Sequence, residues 1–302
     1  MHTDSNVIAM PTKQTTSISQ AALLVELSIG VWEGRKRDKT ATNEVTTSKH
    51  ASRGSATVNK KLLTDSKPLE QIVKFAASVR AQHRHMTLPW AKNGSLNLLT
   101  NEMYFQYHPY ITQAETTFYQ LVTDFLDVYP VEIQRAMVRL GDLFDAADYP
   151  TVAQLRSKFK FQYGYMPMPE TGDFRLDINH AAKAELNNQW QKFHQEKLEY
   201  AMNDVWHRLK ESLTTMSLRL ESKPDGGSRV FRDTLVGNVQ QVVDIMKACN
   251  VTKDPNMEKV RIELSQALSG VTPDKLRANT TLREKTRDDI DRVIANLPTL
   301  DM

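Results

Sequence analysis

The residues of this sequence best suited to chemistry are basic, and they are concentrated in one stretch of the chain. Residues 35–90 hold twelve lysines and arginines and four acids, a formal charge of +8, whereas the whole chain carries +3. Such uneven charge is typical of contact with nucleic acid or another polyanion, but flexible surface loops also collect lysines, and this second interpretation is the one we favour from composition alone. The candidate nucleic-acid-binding residues are Arg35, Lys36, Arg37, Lys39, Lys49, Arg53, Lys60, Lys61, Arg80 and Arg84.

Patterns for nucleotide, metal or nucleophilic catalysis are missing from the sequence. It contains no GxxxxGK[ST], GxGxxG, HExxH or GxSxG motif. His83 and His85 are two residues apart on a predicted helix, so they point to different faces and are expected to be solvated or to face phosphate. We therefore expect no catalytic residue, no metal site and no cofactor.

Aromatic side chains provide a second possible contact with nucleic acid. They alternate with polar residues around positions 104–119 and 159–165, and Phe161, Tyr163 and Tyr165 share one face of a predicted strand. Exposed rings of this kind stack on the bases of single strands. The alternative, which we favour, is that they pack in the core between a helix and a sheet.

Composition limits the class of protein. The chain has 302 residues and is 40% apolar, which is enough for a substantial core, and Cys249 is its only cysteine. No run approaches the roughly 20 apolar residues of a membrane helix, and no secretory signal is visible. These features predict a soluble protein of a reducing cytoplasm, without disulfides and without membrane contact.

Hydrophobic periodicity predicts a mainly α fold of the α+β class, a helical bundle with a small antiparallel sheet. Alternating residues predict strands at 23–32, 159–165 and 174–178, which together form the sheet. Shorter helices are predicted at 66–88, at 100–128 with a kink at Pro109, at 130–144, and at 151–158 with a capping box between Thr151 and Gln154.

A long amphipathic helix is the most distinctive predicted element. It covers residues 180–221 and would be about 60 Å long at 1.5 Å per residue, either as a coiled-coil arm or wrapped around a core. The predicted organisation has three parts: a disordered arm (1–20), an α+β body (21–222) and a helical C-terminal region (228–302). The body includes a basic loop (34–60) and the long helix. The C-terminal region has helices at 228–249, 254–268 and 281–297.

Several short motifs along the chain resemble those of one protein family. They are residues 23–32 followed by Gly34 and Arg35, KLL at 61–63, TLPW at 87–90, FLDVYP at 125–130, RLGDLF at 139–144, DYP at 148–150, and Phe159. This pattern resembles a family of uncharacterised proteins encoded mostly by tailed phages and known only as a domain of unknown function. The resemblance covers residues 20–180, about half of the chain, and its motifs are structural ones that name no chemistry.

The resemblance also carries a functional implication. The family is often encoded near MoxR-like AAA+ ATPases and near von Willebrand-type proteins that resemble cobaltochelatase subunits. It therefore implies a partner of such a machine in the host cytoplasm or in the virion. The basic segment and the residues after Pro224 depart from the family pattern, so this implied role does not extend to them.

Two functions of different classes follow from these observations. The first is a non-enzymatic phage accessory protein that acts through contacts with a phage or host protein, as the long helix and the absent catalytic motifs indicate. The second is a protein of phage replication or transcription that binds single- or double-stranded DNA through residues 35–90. A metal- or nucleotide-dependent enzyme is the least favoured alternative, and the sequence does not indicate an oligomeric state.

Overall fold

A computed structural model of the chain describes residues 18–91, 93–169, 179–222 and 229–298. The chain divides into two compact units. Among the described residues, we call Leu24–Met166 the sheet unit, and residues 18–23 together with those from Pro167 onward the helical unit. Residues 1–17 of the predicted arm and the predicted strand 174–178 lie outside the described residues, whereas residues 18–20 begin a short helix.

The predicted fold class is confirmed, since the structure is mainly helical with a small antiparallel sheet. Up to residue 167 the helices and strands are α1 (Ile18–Ala21), β1 (Ala22–Gly30), β2 (Arg35–Asp38), α2 (Lys39–Ser48), β3 (Val58–Lys61), α3 (Lys67–Met86), β4 (Leu88–Pro89), β5 (Asn97–Thr100), α4 (Asn101–Leu140), α5 (Val152–Arg156) and β6 (Lys160–Pro167). The remaining helices are α6 (His180–Leu220), α7 (Thr234–Cys249), α8 (Pro255–Ala267), α9 (Pro273–Ala278) and α10 (Thr280–Ala295).

In the part of the chain that the structure describes, the main sheet has four strands in the order β4-β5-β1-β6. Strands β1 and β6 were predicted, and β6 ends at Pro167 on the edge of the sheet, where a missing backbone donor is tolerated. Strand β5 was not predicted, because four residues before a long helix carry too short a pattern. All four of its residues are buried.

Helices α3 and α4 form the core of the sheet unit together with the sheet. Helix α3 buries an apolar stripe at the predicted three- and four-residue spacing, and α4 buries a row of aromatic and aliphatic side chains. The fully buried side chains of α4 include Tyr107, Ile111, Phe118 and Phe125.

Helix α4 corrects the prediction of two separate helices. It runs for 40 residues without a break, and Pro109 and Pro130 lie inside it. An interior proline removes one backbone hydrogen bond and costs about 3 kcal/mol in an isolated helix. In α4, side chains on both sides of Pro130 are buried, Leu126 before it and Ala136 after it. Burial of these flanking residues outweighs the local preference of proline.

The helical unit is built around the second half of α6. From Ala201 onward this helix buries a stripe that ends at Leu220 and packs against α7 and α10, whereas none of residues 180–200 is fully buried. The long helix was thus predicted with nearly correct ends. It belongs, however, to the same compact unit as the C-terminal helices and not to the α+β body. Within the described ranges, no helix has both the length and the apolar character needed to cross a membrane.

Candidate functional site

Residues 34–60 are ordered, which corrects the prediction of a mobile basic loop. Strand β2 pairs antiparallel with β3, and helix α2 lies in the connection between them. The side chain of Asp38 caps α2 by accepting from the Ala41 amide at 2.9 Å, and the Thr42 hydroxyl accepts from the Val58 amide at 3.0 Å. Hydrogen bonds from short polar side chains to the backbone thus stabilise the segment. A prediction from composition alone does not include such bonds.

The β2–β3 pair forms a two-stranded ribbon, separate from the four-stranded sheet. Because successive side chains of a strand point to opposite sides, the ribbon has two faces. We define the inner face as Lys36, Asp38, Val58 and Lys60, and the outer face as Arg35, Arg37, Asn59 and Lys61. Each face sets two cations directly across from each other, Lys36 opposite Lys60 and Arg35 opposite Lys61. Like charges in this position destabilise a sheet.

On the inner face, the two lysines share the carboxylate of Asp148, and Lys60 also lies 3.9 Å from the carboxylate of Asp38. Lys36 and Lys60 both form ion pairs with Asp148, whose side chain is only 4% exposed. The Lys60 ammonium also donates to the carbonyl of Leu143 at 2.9 Å. These contacts fasten the ribbon to residues 141–148, which form two short 3-10 turns after α4.

The ionisation of Asp148 reflects these contacts. Burial alone would raise the pKa of this carboxyl group, but hydrogen bonds from Lys36 and Lys60 outweigh burial and hold the pKa below its usual range. The hydrogen bond to Asp148 in turn raises the pKa of Lys36. The inner face is therefore a structural ion-pair cluster whose charges already have partners.

The outer face lacks such compensation. Arg35, Arg37, Asn59 and Lys61 are all exposed. Within the described part of the chain, no hydrogen bond or ion pair involves the side chains of its three cations. Arg35 and Lys61 consequently repel each other across the ribbon with no acid between them.

The other predicted binding residues fall into two groups. Lys39, Lys49 and Arg53 are exposed in the connection between the two strands of the ribbon. Arg80 and Arg84 lie instead in the last two turns of α3, and the Arg80 guanidinium donates to the Ile29 carbonyl at 2.6 Å. We therefore assign Arg80 a structural role.

A cleft of about 640 Å³ opens between the ribbon, the start of α2 and residues 142–148. Its walls combine four cations with five acids, so its charge does not favour an anion over a cation. These residues are Lys36, Arg37, Lys39, Lys60, Asp38, Glu44, Asp142, Asp145 and Asp148. Among the described residues, no group of histidine, cysteine and acidic side chains is arranged to hold a metal ion.

The base-stacking candidates of β6 pack within the sheet unit, whereas Phe105 on α4 is 76% exposed. Phe161 is buried against Phe118, with ring centroids 5.5 Å apart. The hydroxyl of Tyr163 lies 3.2 Å from the Thr112 hydroxyl, and that of Tyr165 lies 3.0 Å from Nδ1 of His108. Strand β6 thus presents its rings to α4, which agrees with the core-packing alternative.

His83 was expected to be solvated, and the structure corrects this prediction. It is 5% exposed, with Nδ1 2.7 Å from the Tyr107 hydroxyl and Nε2 2.9 Å from the amide nitrogen of Asn97. Since that amide nitrogen donates to Nε2, Nδ1 carries the proton and donates to Tyr107. Burial, reinforced by the nearby charge of Arg84, lowers the pKa of His83 to about 4. His83 is thus a neutral part of the core.

Comparison with family models, curated proteins and solved structures finds no match for the chain. The geometry and charge of the described residues are therefore the basis for any functional proposal.

Proposed function

We propose that this protein binds nucleic acid through the outer face of the β2–β3 ribbon. The observation that carries the proposal is the uncompensated cross-strand pair of Arg35 and Lys61, with Arg37 beside it. Such a pair costs folding stability, and a row of phosphates would relieve the repulsion. Violations of ordinary pairing rules of this kind concentrate at functional sites.

The surroundings of the ribbon support this proposal. Lys39, Lys49 and Arg53 are exposed in the segment that joins the two strands, so they add further positive charge close to the ribbon. The inner face is fixed by Asp148. A fixed inner face holds the outer cations in place, which reduces the entropy lost on binding.

The test is binding of labelled duplex DNA, measured by fluorescence anisotropy at several salt concentrations. We expect at least three phosphate contacts from the ribbon and its connecting segment, which predicts a slope of about −2.7 or steeper in log affinity against log salt and a loss of about fortyfold or more between 50 and 200 mM. The triple variant Arg35→Ala, Arg37→Ala, Lys61→Ala should bind about tenfold more weakly or worse at 50 mM, with a shallower slope.

A matched control removes the same charge elsewhere. Lys192→Ala, Lys210→Ala and Lys259→Ala together change three exposed lysines of α6 and α8. This variant should retain most of the affinity. Binding that is independent of salt, or an equal loss in both triple variants, would contradict a role for the outer face.

The accessory protein–protein role predicted from the sequence stays a prediction, as does the resemblance to the phage family. One observation favours such a role. Near its C-terminal end, α4 exposes Val131 by 48%, Met137 by 54% and Val138 by 82%. A pull-down from nuclease-treated extract with wild type and Val138→Asp tests it, and a partner retained equally by both proteins would count against this surface.

A further inference from the structure

The shape of the ribbon restricts the kind of nucleic acid that could bind. Each strand has four residues, so the ribbon is about 14 Å long, and its two strands are about 5 Å apart. The major groove of B-DNA is about 12 Å wide and admits a two-stranded β-ribbon. No further strand flanks β2 or β3 in the described sheets, and α2 and residues 141–148 pack against β3 and the inner face, so it is the outer face that is open to such a groove.

The side chains of the outer face are suited to base edges. Arginine donates two hydrogen bonds to O6 and N7 of guanine, and asparagine pairs in the same bidentate way with adenine. Asn59 lies directly opposite Arg37, and both are exposed. The outer face thus carries a neutral side chain that can recognise a base, Asn59, beside arginines that can do the same. Attraction to phosphate alone would not require the neutral side chain.

A single-stranded ligand fits the outer face poorly. Proteins that bind single strands stack the bases on aromatic side chains. The outer face has no aromatic residue, and the nearby ring of Trp32 packs against Phe125 and Tyr129 at centroid distances of 6.4 and 6.0 Å. Double-stranded RNA is also unsuitable, since its major groove is too deep and narrow for side chains to read.

From these observations we infer that the outer face enters the major groove of double-stranded DNA, with the cross-strand pair Arg37 and Asn59 toward the base edges and Arg35 and Lys61 toward the phosphates. Lys39, Lys49 and Arg53 then contact the phosphates beside the groove. In such an arrangement phosphate contacts position the protein and base contacts specify the sequence. The inference rests on the proposed function, because it requires that the outer face bind nucleic acid at all.

The first experiment compares three labelled probes of one sequence, a 20-bp DNA duplex, the corresponding RNA duplex and the single DNA strand. Anisotropy at 100 mM salt should show the DNA duplex bound about tenfold tighter than either alternative. Equal or tighter binding of RNA or the single strand, lost in the outer-face triple variant, would overturn the inference and leave the proposed function standing. If no probe binds, both fail.

The second experiment tests sequence reading without changing charge. Asn59→Ala is compared with Asn43→Ala, a matched change of an exposed asparagine on α2, by selection from a randomised DNA duplex pool. Wild type and Asn43→Ala should select a preferred sequence containing adenine. For Asn59→Ala the preference for that adenine should fall at least fivefold, with an unchanged salt slope. A pool without a preferred sequence, or a preference that survives Asn59→Ala, would contradict the inference.

Discussion

The basic side chains of the sheet unit differ in whether their charge is compensated. Those on the outer face of the ribbon are exposed cations, whereas those on the inner face and in the core are either paired with an acid or uncharged. On the outer face, Arg35 and Lys61 lie opposite each other in water with no ion pair to a described residue. On the inner face, Lys36 and Lys60 share the carboxylate of Asp148, and in the core His83 remains uncharged. Burial thus enforces compensation or neutrality, whereas exposure allows charge to remain available for a ligand.

The largest effect expected from this comparison is the pH dependence of stability due to His83. Its pKa is about 4 in the folded chain and about 6.5 when unfolded, so the unfolded state takes up the proton first. The stabilisation is complete above pH 6.5, is lost as the pH falls toward 4, and amounts to about 3 kcal/mol. Urea unfolding at pH 7 and pH 4.5 measures most of this loss.

This measurement needs a signal from the sheet unit alone. Two of the four tryptophans, Trp32 and Trp90, lie in that unit, so Trp190→Phe and Trp206→Phe leave a fluorescence signal specific to it. In this background, His83→Gln should remove most of the pH dependence between 4.5 and 7. The exposed His50, changed to Asn as a control, should leave it intact. A dependence that persists in His83→Gln would show that His83 is not its source.

The second prediction concerns the inner face. Asp148→Ala removes the acid that Lys36 and Lys60 share and leaves only the longer contact of Lys60 with Asp38 at 3.9 Å, and the Lys60 side chain is only 11% exposed. We expect a loss of about 2 kcal/mol in the free energy of unfolding at pH 7, less than for a fully buried pair because Lys36 is half exposed.

Two further variants test the cause of that loss. Asp142→Ala, on the neighbouring exposed acid, should change stability by less than about 0.5 kcal/mol. Adding Lys60→Met to Asp148→Ala should recover part of the stability, since it removes one of the two repelling charges. If Asp148→Ala proves no worse than Asp142→Ala, the inner face is not held by this ion pair.

The third prediction returns to the core. Asn97→Ala removes the donor to Nε2 of His83 at a site that is 6% exposed. A buried acceptor without a partner costs about 1–3 kcal/mol, and we expect about 1.5 kcal/mol here. Asn43→Ala, at an exposed asparagine on α2 of the same unit, is the comparison variant and should cost less in the same urea titration.

Sequence periodicity was sufficient to predict those helices and strands whose residues determine the structure locally. The stripes of α3 and α6, the strands β1 and β6, and the Thr151–Gln154 capping box were all predicted and are present. Each depends on residues within a few positions of one another. The fold class could be predicted for the same reason.

The candidate site was only partly predictable, because its geometry depends on residues far apart in sequence. The basic residues of the ribbon were identified from charge alone, but Lys36 is neutralised by an acid 112 positions away. His83 likewise meets Asn97 and Tyr107 from two other elements, 14 and 24 positions away. The sequence around Asp148, which is followed by Tyr149 and Pro150, does not indicate that this acid pairs with lysines of the ribbon.

The smallest expected effect on stability comes from reversing one charge of the outer face. Lys61→Glu converts the repelling pair with Arg35 into an attractive one, which should stabilise the sheet unit by about 0.5 kcal/mol. The same change places a negative charge on the proposed binding face, so DNA affinity should fall more than in Lys61→Ala. Lys49→Glu, an equal reversal in the connecting segment, should weaken binding less and leave stability unchanged. A rise in stability together with a loss of affinity would show that the uncompensated charge serves binding at the expense of folding, whereas a loss of both would show that Lys61 stabilises the ribbon by contacts other than charge.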